Sequence, residues 1–98
     1  MSVKKITISI ENGSIKVTCP IVRLHKAQND TIQWKTRPAN RPFLVCFGSN
    51  SPFSKNHFYD GAANSGSIRA GVRLLPAIYK YSVEFGGKRL DPGVIIDL

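Results

Sequence analysis

Hydrophobic and polar residues alternate along much of this chain, which is the pattern of β-strands that bury one face. The N-terminal part shows it most clearly. Every second residue is isoleucine at positions 6–10, and the alternation resumes over positions 15–19. Between these runs, Asn12-Gly13 can adopt the positive φ angles that a tight hairpin turn requires. We therefore predict a β-hairpin over residues 1–19.

Further strands follow Pro20, which interrupts the ladder. Asn29 and Asp30 suit a turn between the first two of these strands. No segment shows the sustained periodicity of an amphipathic helix. We predict an all-β fold, a Greek-key antiparallel β-sandwich of seven or eight strands. The strands after the hairpin are "IVRLHK", "TIQWKT", "FLVCFG", "SIRAGVRLL", "IYKYSVEF" and "VIIDL".

A long segment at residues 49–66 is rich in serine, asparagine, proline and glycine, with Phe53, Phe58 and Tyr59 among them. We predict a long loop with room for one helical turn at residues 54–60. Loops of this length in compact proteins are usually functional or mobile, so the loop is a candidate site. Its aromatic residues either form an interaction surface or cap the open end of the sandwich.

The chain has 98 residues, of which 42% are hydrophobic and 20% are charged. This size predicts a single domain over residues 1–98. No apolar run approaches the length of a membrane span. The N-terminus also lacks the continuous apolar stretch of an export signal, so we expect a cytoplasmic protein if Met1 is the native start.

Positive charge predominates, with 14 lysines and arginines against 6 acidic residues, a net charge of +8. Such a charge favours anionic partners such as nucleic acid, acidic protein or phospholipid. Lys35, Arg37 and Arg41 belong to a basic arm at residues 35–41. The arm follows Trp34, which we place in the core. Basic residues on sandwich faces also serve solubility and edge protection. The candidate binding surface comprises Lys35, Arg37, Arg41, Phe53, His57, Phe58, Tyr59, Arg69 and Arg73.

Three segments in order, "CPIVRLHKAQNDTIQW", "NRPFLVCF" and "AIYKYSVEFGGKRLDP", resemble the copper-binding β-sandwiches of the cupredoxin family. The resemblance covers about residues 14–98. It implies a cupredoxin-like fold. In that family two histidines, a cysteine and a weak axial methionine hold copper, because soft sulfur and nitrogen donors suit both of its oxidation states.

The positions that correspond to these ligands carry no donor atoms in this chain. By the resemblance, Phe43 takes the place of the first histidine, the cysteine falls near Val83, the second histidine falls within residues 85–87, which begin with Phe85, and the methionine falls near Leu90. None of these side chains can bind copper. We therefore expect no cofactor, and predict that the four residues pack as a hydrophobic plug at one end of the core.

Other chemistry has little support in the sequence. His25, His57, Cys19 and Cys46 match no zinc-binding spacing, and two free thiols are the expectation. No nucleophile motif is present, and the acidic residues lie mainly in turns or near strand ends. Gly86-Gly87 is interpreted as a hairpin turn, because no helix follows that would bind a phosphate. We expect no enzymatic activity.

These observations predict a non-catalytic, metal-free, cupredoxin-like binding or assembly module. A protein partner or self-association is the expected interaction, and sandwich edges offer strand addition for either. The competing hypothesis is a basic protein that binds nucleic acid or another polyanion.

Overall fold

β-Strands account for nearly all the regular structure. The computed structural model describes residues 2–38, 41–60, 62–70, 72 and 78–97. Within them there are ten strands and one short 3-10 helix, Lys26–Gln28. The predicted all-β class is confirmed, but the predicted number of seven or eight strands is too low. The strands are β1 Val3–Glu11, β2 Ser14–Val17, β3 Ile21–His25, β4 Thr31–Thr36, β5 Phe43–Cys46, β6 His57–Tyr59, β7 Ile78–Lys80, β8 Ser82–Phe85, β9 Lys88–Leu90 and β10 Gly93–Asp97.

The strands form three sheets, ordered β2-β1-β4, β3-β10-β7 and β6-β5-β8-β9. Two pairings are parallel, β1 with β4 and β10 with β3, whereas all other strand pairs are antiparallel. The predicted purely antiparallel arrangement is therefore wrong at these two pairs. Alternation along a strand specifies which side chains face the core, but it leaves the direction of the neighbouring strand open.

The predicted N-terminal hairpin is present as β1 and β2, with Ile8 opposite Val17. Asn12 and Gly13 have φ angles of 53° and 78°, as a two-residue hairpin turn requires. Of the isoleucines in β1, the two at positions 6 and 8 are fully buried. Ile10 is 40% exposed, so the buried stripe ends one step before the turn.

An aromatic cluster around Trp34 forms the centre of the core. The Trp34 ring stacks on Phe58 with centroids 5.0 Å apart, and Tyr81 and Phe47 meet it edge-on. Phe53 joins the cluster through Phe47 and Phe58. The loop at residues 49–66 is therefore attached to the core by two of its aromatic residues.

Residues 57–59 form strand β6, and the predicted helical turn at 54–60 is absent from this part of the described chain. The alternation explains the difference, since Phe58 faces Trp34 while His57 and Tyr59 face solvent. Residues 63–65 then run along the outer edge of β4. The backbone N–H of Trp34 donates to the carbonyl of Ala63 at 2.9 Å, and that of Ser65 to Ile32 at 2.8 Å. This edge is thus occupied and not open to strand addition.

The segment "IYKYSVEF", predicted as one strand, is two strands in different sheets. Tyr81 lies between β7 and β8, and its backbone N–H donates to the carbonyl of Pro92 at 3.1 Å. After β8, Gly86 and Gly87 adopt positive φ angles and turn the chain into β9. The hairpin interpretation of these glycines is confirmed, although β9 itself was not predicted.

The segment "SIRAGVRLL" is only partly described. In its described part, Ile68 makes an isolated bridge to Phe53, and no continuous strand is formed there. Arg73 lies outside the described residues. No helix of the described chain combines the length and the hydrophobicity that crossing a bilayer would take.

Candidate anion-binding groove

The four residues that the resemblance places at copper-ligand positions lie side by side. Phe43 of β5 is directly opposite Phe85 of β8, and Val83 of β8 is directly opposite Leu90 of β9. Directly opposed residues share a face of the sheet, as do residues two apart on one strand, so all four face the same way. Three of them are buried and Leu90 is partly buried. Hydrocarbon side chains therefore fill this part of the core.

The four soft donor residues do not form a site. His25 and His57 belong to different sheets, and Cys19 and Cys46 are free thiols. The Cys19 thiol donates to the carbonyl of Ile21 at 3.1 Å. Among the residues that the structure describes, no group of three or more histidine, cysteine, aspartate or glutamate side chains is arranged to hold a metal ion.

Phe53 and Phe58 were included in the candidate surface, but the structure buries both, with exposures of 2% and 1%. They pack against each other and against Phe47 and Trp34 in the aromatic cluster. Neither ring presents more than 2% of its surface to a partner, although Phe58 lies in the wall of the groove that His57 and Tyr59 line. We therefore remove both from the candidate surface, in agreement with the alternative interpretation that they cap the sandwich.

Arg69 also departs from the predicted surface. Its side-chain Nε–H donates to the carbonyl of Ser51 at 2.6 Å, and its backbone N–H donates to the carbonyl of Pro52 at 2.9 Å. Arg69 thus ties the two ends of the loop together. The buried carbonyl groups of an irregular loop need such donors, and an arginine can supply one while it keeps part of its side chain in solvent.

His57 and Tyr59 are exposed and lie together, apart from the basic arm. With Lys55 they line a groove of about 340 Å³ beside Ala62, Ala63 and Asn64. Tyr59 is 51% exposed. Arg37 and Arg41 line a different groove, which shares no residue with this one. The predicted binding surface is therefore divided between two separate grooves.

Arg37 and Arg41 border a second groove, of about 430 Å³, at the end of β4. Here we name it the basic groove. It is lined by Ile10, Arg37, Pro38, Arg41, Pro42, Phe85 and Gly86. Lys35, also predicted for this surface, is exposed on the opposite face of β4 from Trp34 and does not line the groove.

Thr36 and Ile8 hold the backbone near the two arginines of the basic groove. Its buried hydroxyl donates to the carbonyl of Pro38 at 2.9 Å and accepts from the backbone N–H of Arg41 at 3.3 Å. The backbone N–H of Arg37 donates to the carbonyl of Ile8 at 2.9 Å, which extends the β1–β4 ladder by one residue. Three hydrogen bonds thus fix the backbone on both sides of the arm.

The groove has an apolar floor made by Ile10 and Phe85. Gly86 allows this arrangement, because a Cβ atom at that position would lie 2.5 Å from Cδ1 of Ile10. The exposure of Ile10, which the alternation in β1 does not predict, follows from its place at the groove. The sequence contains no signal that brings the "ENG" turn, the arginine arm and the Gly86 turn together.

In the described chain, no carboxylate lines the basic groove or forms an ion pair with its arginines. The ion pairs that do occur in the described chain are Arg23 with Asp97 at 2.9 Å and Arg89 with Asp91 at 3.3 Å. Because arginine remains charged at all physiological pH values, the groove suits an anion that carries an apolar part.

A third groove, of about 580 Å³, is larger, but its lining includes an acidic residue as well as basic ones. It is lined by Cys46, Phe47, Gly48, Lys80, Tyr81, Ser82, Arg89 and Asp91. Asp91 pairs with Arg89 there and lowers the net positive charge. Burial raises the pKa of the Tyr81 phenol to about 12, so this hydroxyl is neutral at physiological pH.

Asp30 was interpreted as a turn residue, and the structure gives it a larger role. Its carboxylate is fully buried and accepts the backbone N–H groups of His25 at 3.0 Å and Ser2 at 3.1 Å. The hydrogen bond from His25 is the main cause that lowers the pKa of Asp30, against the opposing effect of burial. Asp30 therefore holds the start of β1 against the end of β3.

No protein-family model matches this chain, and neither does any curated protein or solved structure. The resemblance to cupredoxins therefore depends on the sequence motifs alone. The candidate site depends on its own geometry.

Proposed function

We propose that this chain is a non-catalytic, metal-free, cupredoxin-like binding module that recognises an anionic protein partner through the basic groove. One observation carries the proposal. Arg37 and Arg41, with no carboxylate partner in the described chain, border an apolar groove of about 430 Å³. Concave apolar sites with a few fixed polar groups are the usual form of binding sites.

The cupredoxin-like part of the proposal is supported by the neighbourhood of Phe43, Val83, Phe85 and Leu90 on one sheet face. The resemblance assigns a copper ligand to each of these positions, and ligands of one ion must lie close together. Their packing as a hydrophobic group agrees with a scaffold that has exchanged metal binding for a larger core.

The non-catalytic part is supported by two of the buried titratable groups that the structure describes, Asp30 and Tyr81. Asp30 uses its carboxylate for two backbone N–H groups, and Tyr81 keeps its proton until high pH. Neither group is arranged as a general base near a nucleophile. Binding is the function that remains best supported by the exposed charge.

The test measures binding of fluorescein-labelled polyglutamate at increasing salt concentration. The groove variant carries Arg37→Gln and Arg41→Gln, and the control variant carries Lys26→Gln and Lys88→Gln. Both variants lose two positive charges, but the control lysines do not line the basic groove. We expect the groove variant to bind about tenfold more weakly than the control variant. Equal weakening of both variants would refute the groove as the site.

Binding of nucleic acid is the second candidate, and the outer face of the sheet β2-β1-β4 favours it. Lys5, Lys16 and Lys35 are exposed there, each beside polar residues of the neighbouring strand. Such a face can follow a phosphate backbone. If this hypothesis is correct, a face variant with all three lysines changed to glutamine loses most of its affinity for oligo-dT, and the groove variant retains it.

A further inference from the structure

We infer that the occupant of the basic groove is an extended acidic protein segment that inserts one apolar side chain between its carboxylates. This inference rests on the proposed function, and it specifies the chemistry of the partner. Two properties of the groove carry it, the apolar floor and the pair of arginines whose backbone is held by hydrogen bonds. A third property favours a peptide over a nucleic acid: the described lining has no strongly exposed aromatic side chain.

The apolar floor of the groove favours a ligand that carries a hydrocarbon group. Ile10 is 40% exposed, although the other two isoleucines of the same face of β1 are fully buried. Phe85 and the rings of Pro38 and Pro42 complete an apolar lining beneath the charges. A purely ionic ligand would leave this surface in water, whereas an inserted aliphatic side chain would remove it from water.

The arginines call for carboxylates beside that side chain. Arg37 and Arg41 belong to one short arm, and the buried hydroxyl of Thr36 holds the backbone at both ends. Guanidinium groups bind carboxylates through paired hydrogen bonds, and a fixed backbone lowers the entropy lost when they do so. An apolar residue flanked by glutamate or aspartate satisfies both requirements at once.

A nucleic acid fits the groove less well, because recognition of single strands uses exposed aromatic rings on which bases stack. Phe85 is only 8% exposed and Trp34 only 1%. The large aromatic residue that is strongly exposed in the described chain is Tyr59, and it lines a different groove. The exposed apolar surface of the basic groove therefore comes mainly from Ile10, Pro38 and Pro42, and its described lining has no strongly exposed aromatic ring on which a base could stack.

The test compares three labelled probes on the full chain, with folding checked by circular dichroism. The first probe is a short peptide with one leucine between runs of glutamate, the second has glycine in place of the leucine, and the third is oligo-dT. We expect the leucine peptide to bind about tenfold more tightly than the glycine peptide. We expect the groove variant to lose this binding and the control variant to retain it.

A further variant, Ile10→Ser, tests the floor without changing any charge. It should weaken binding of the leucine peptide severalfold and leave binding of the glycine peptide unchanged. Because Ile10 is partly exposed in the folded chain, this substitution should leave the fold intact. An equal effect on both peptides would overturn the insertion of an apolar side chain.

The outcomes separate this inference from the proposed function. If both peptides bind equally and the groove variant loses both, the groove binds anions but the inference is wrong. If oligo-dT binds more tightly than either peptide and the groove variant loses it, the partner is a nucleic acid and the inference is also wrong. If the groove variant binds every probe as the control variant does, the proposed function fails as well.

Discussion

The indole Nε1–H of Trp34 donates to the hydroxyl of Tyr81 at 3.4 Å, and both residues are buried. Trp34 belongs to the sheet β2-β1-β4, and Tyr81 is the residue at which the chain passes from β7 to β8. This hydrogen bond thus connects the sheet β2-β1-β4 to Tyr81, the residue that links the sheet β3-β10-β7 to the sheet β6-β5-β8-β9. The edge-on contact of the two rings strengthens the same junction.

Replacing Tyr81 by phenylalanine should destabilise the protein by about 1–3 kcal/mol, because the indole N–H of Trp34 would be left buried without an acceptor. Chemical denaturation monitored by tryptophan fluorescence measures the change. Tyr59→Phe is the matched control, since Tyr59 is half exposed, and its effect should be within about 0.5 kcal/mol. Equal stability of the two variants would contradict the role of the hydrogen bond.

Tyr81 should ionise only at high pH, because burial raises its pKa from 10.0 to about 12. In the unfolded chain the phenol ionises at its ordinary value. The stability linked to Tyr81 is therefore fully present below pH 10.0 and is lost as the pH rises towards 12. Ultraviolet absorbance of tyrosinate should show a late step that Tyr81→Phe removes. A titration without that step in the native protein would disprove the raised pKa.

Asp30→Asn should destabilise the protein at neutral pH, because the ionised carboxylate accepts two backbone N–H groups. The folded pKa of Asp30 lies below its ordinary value of 3.8. Its contribution is thus present above pH 3.8 and is lost as the pH falls through the folded value. The difference in unfolding free energy between native protein and variant should therefore shrink in acid.

Asp91→Asn provides the comparison for Asp30, because Asp91 is exposed and pairs only with Arg89 at the surface. We expect it to change stability little at any pH. A pH-independent difference between the native protein and Asp30→Asn would show that the lowered pKa is not the cause.

Gly86→Ala should destabilise the protein slightly more than Gly87→Ala, because the Ile10 side chain that the new Cβ meets is partly exposed and can move. Both glycines have positive φ angles, so either substitution strains the backbone by about 1 kcal/mol or more. Only at position 86 does the new Cβ also meet Ile10, whereas position 87 has no atom within 4 Å of it. Thermal unfolding of the two variants measures the difference, and Ile10→Ala combined with Gly86→Ala should recover part of it.

Phe58→Ala should cost about 3–5 kcal/mol, because it removes the ring that stacks on Trp34 from the centre of the core. Tyr59→Ala, one residue further along β6, should cost about 0.5 kcal/mol or less, since that side chain faces solvent. Urea titration of both variants tests the inward and outward alternation of β6. Similar losses for the two variants would show that the loop is not attached to the core in this way.

Local pattern in the sequence was sufficient for much of the fold. It predicted the Asn12-Gly13 turn, the full extent of β4 and the turn at Gly86-Gly87. These features depend on neighbouring residues, through alternation and through glycine and asparagine that tolerate positive φ. The sequence also indicated the basic arm at Arg37 and Arg41, because charge can be counted without knowledge of the fold.

Only the tertiary structure determined which segments pair with or pack against one another. Alternation does not encode strand direction, so the parallel pairing of β1 with β4 was not predictable from it. The division of "IYKYSVEF" at Tyr81 follows from competition between two sheets for one segment. The basic groove joins residues 10, 37–42 and 85–86, which are distant in the chain. A site of that kind is a property of packing, whereas the strands and turns that build it are properties of the sequence.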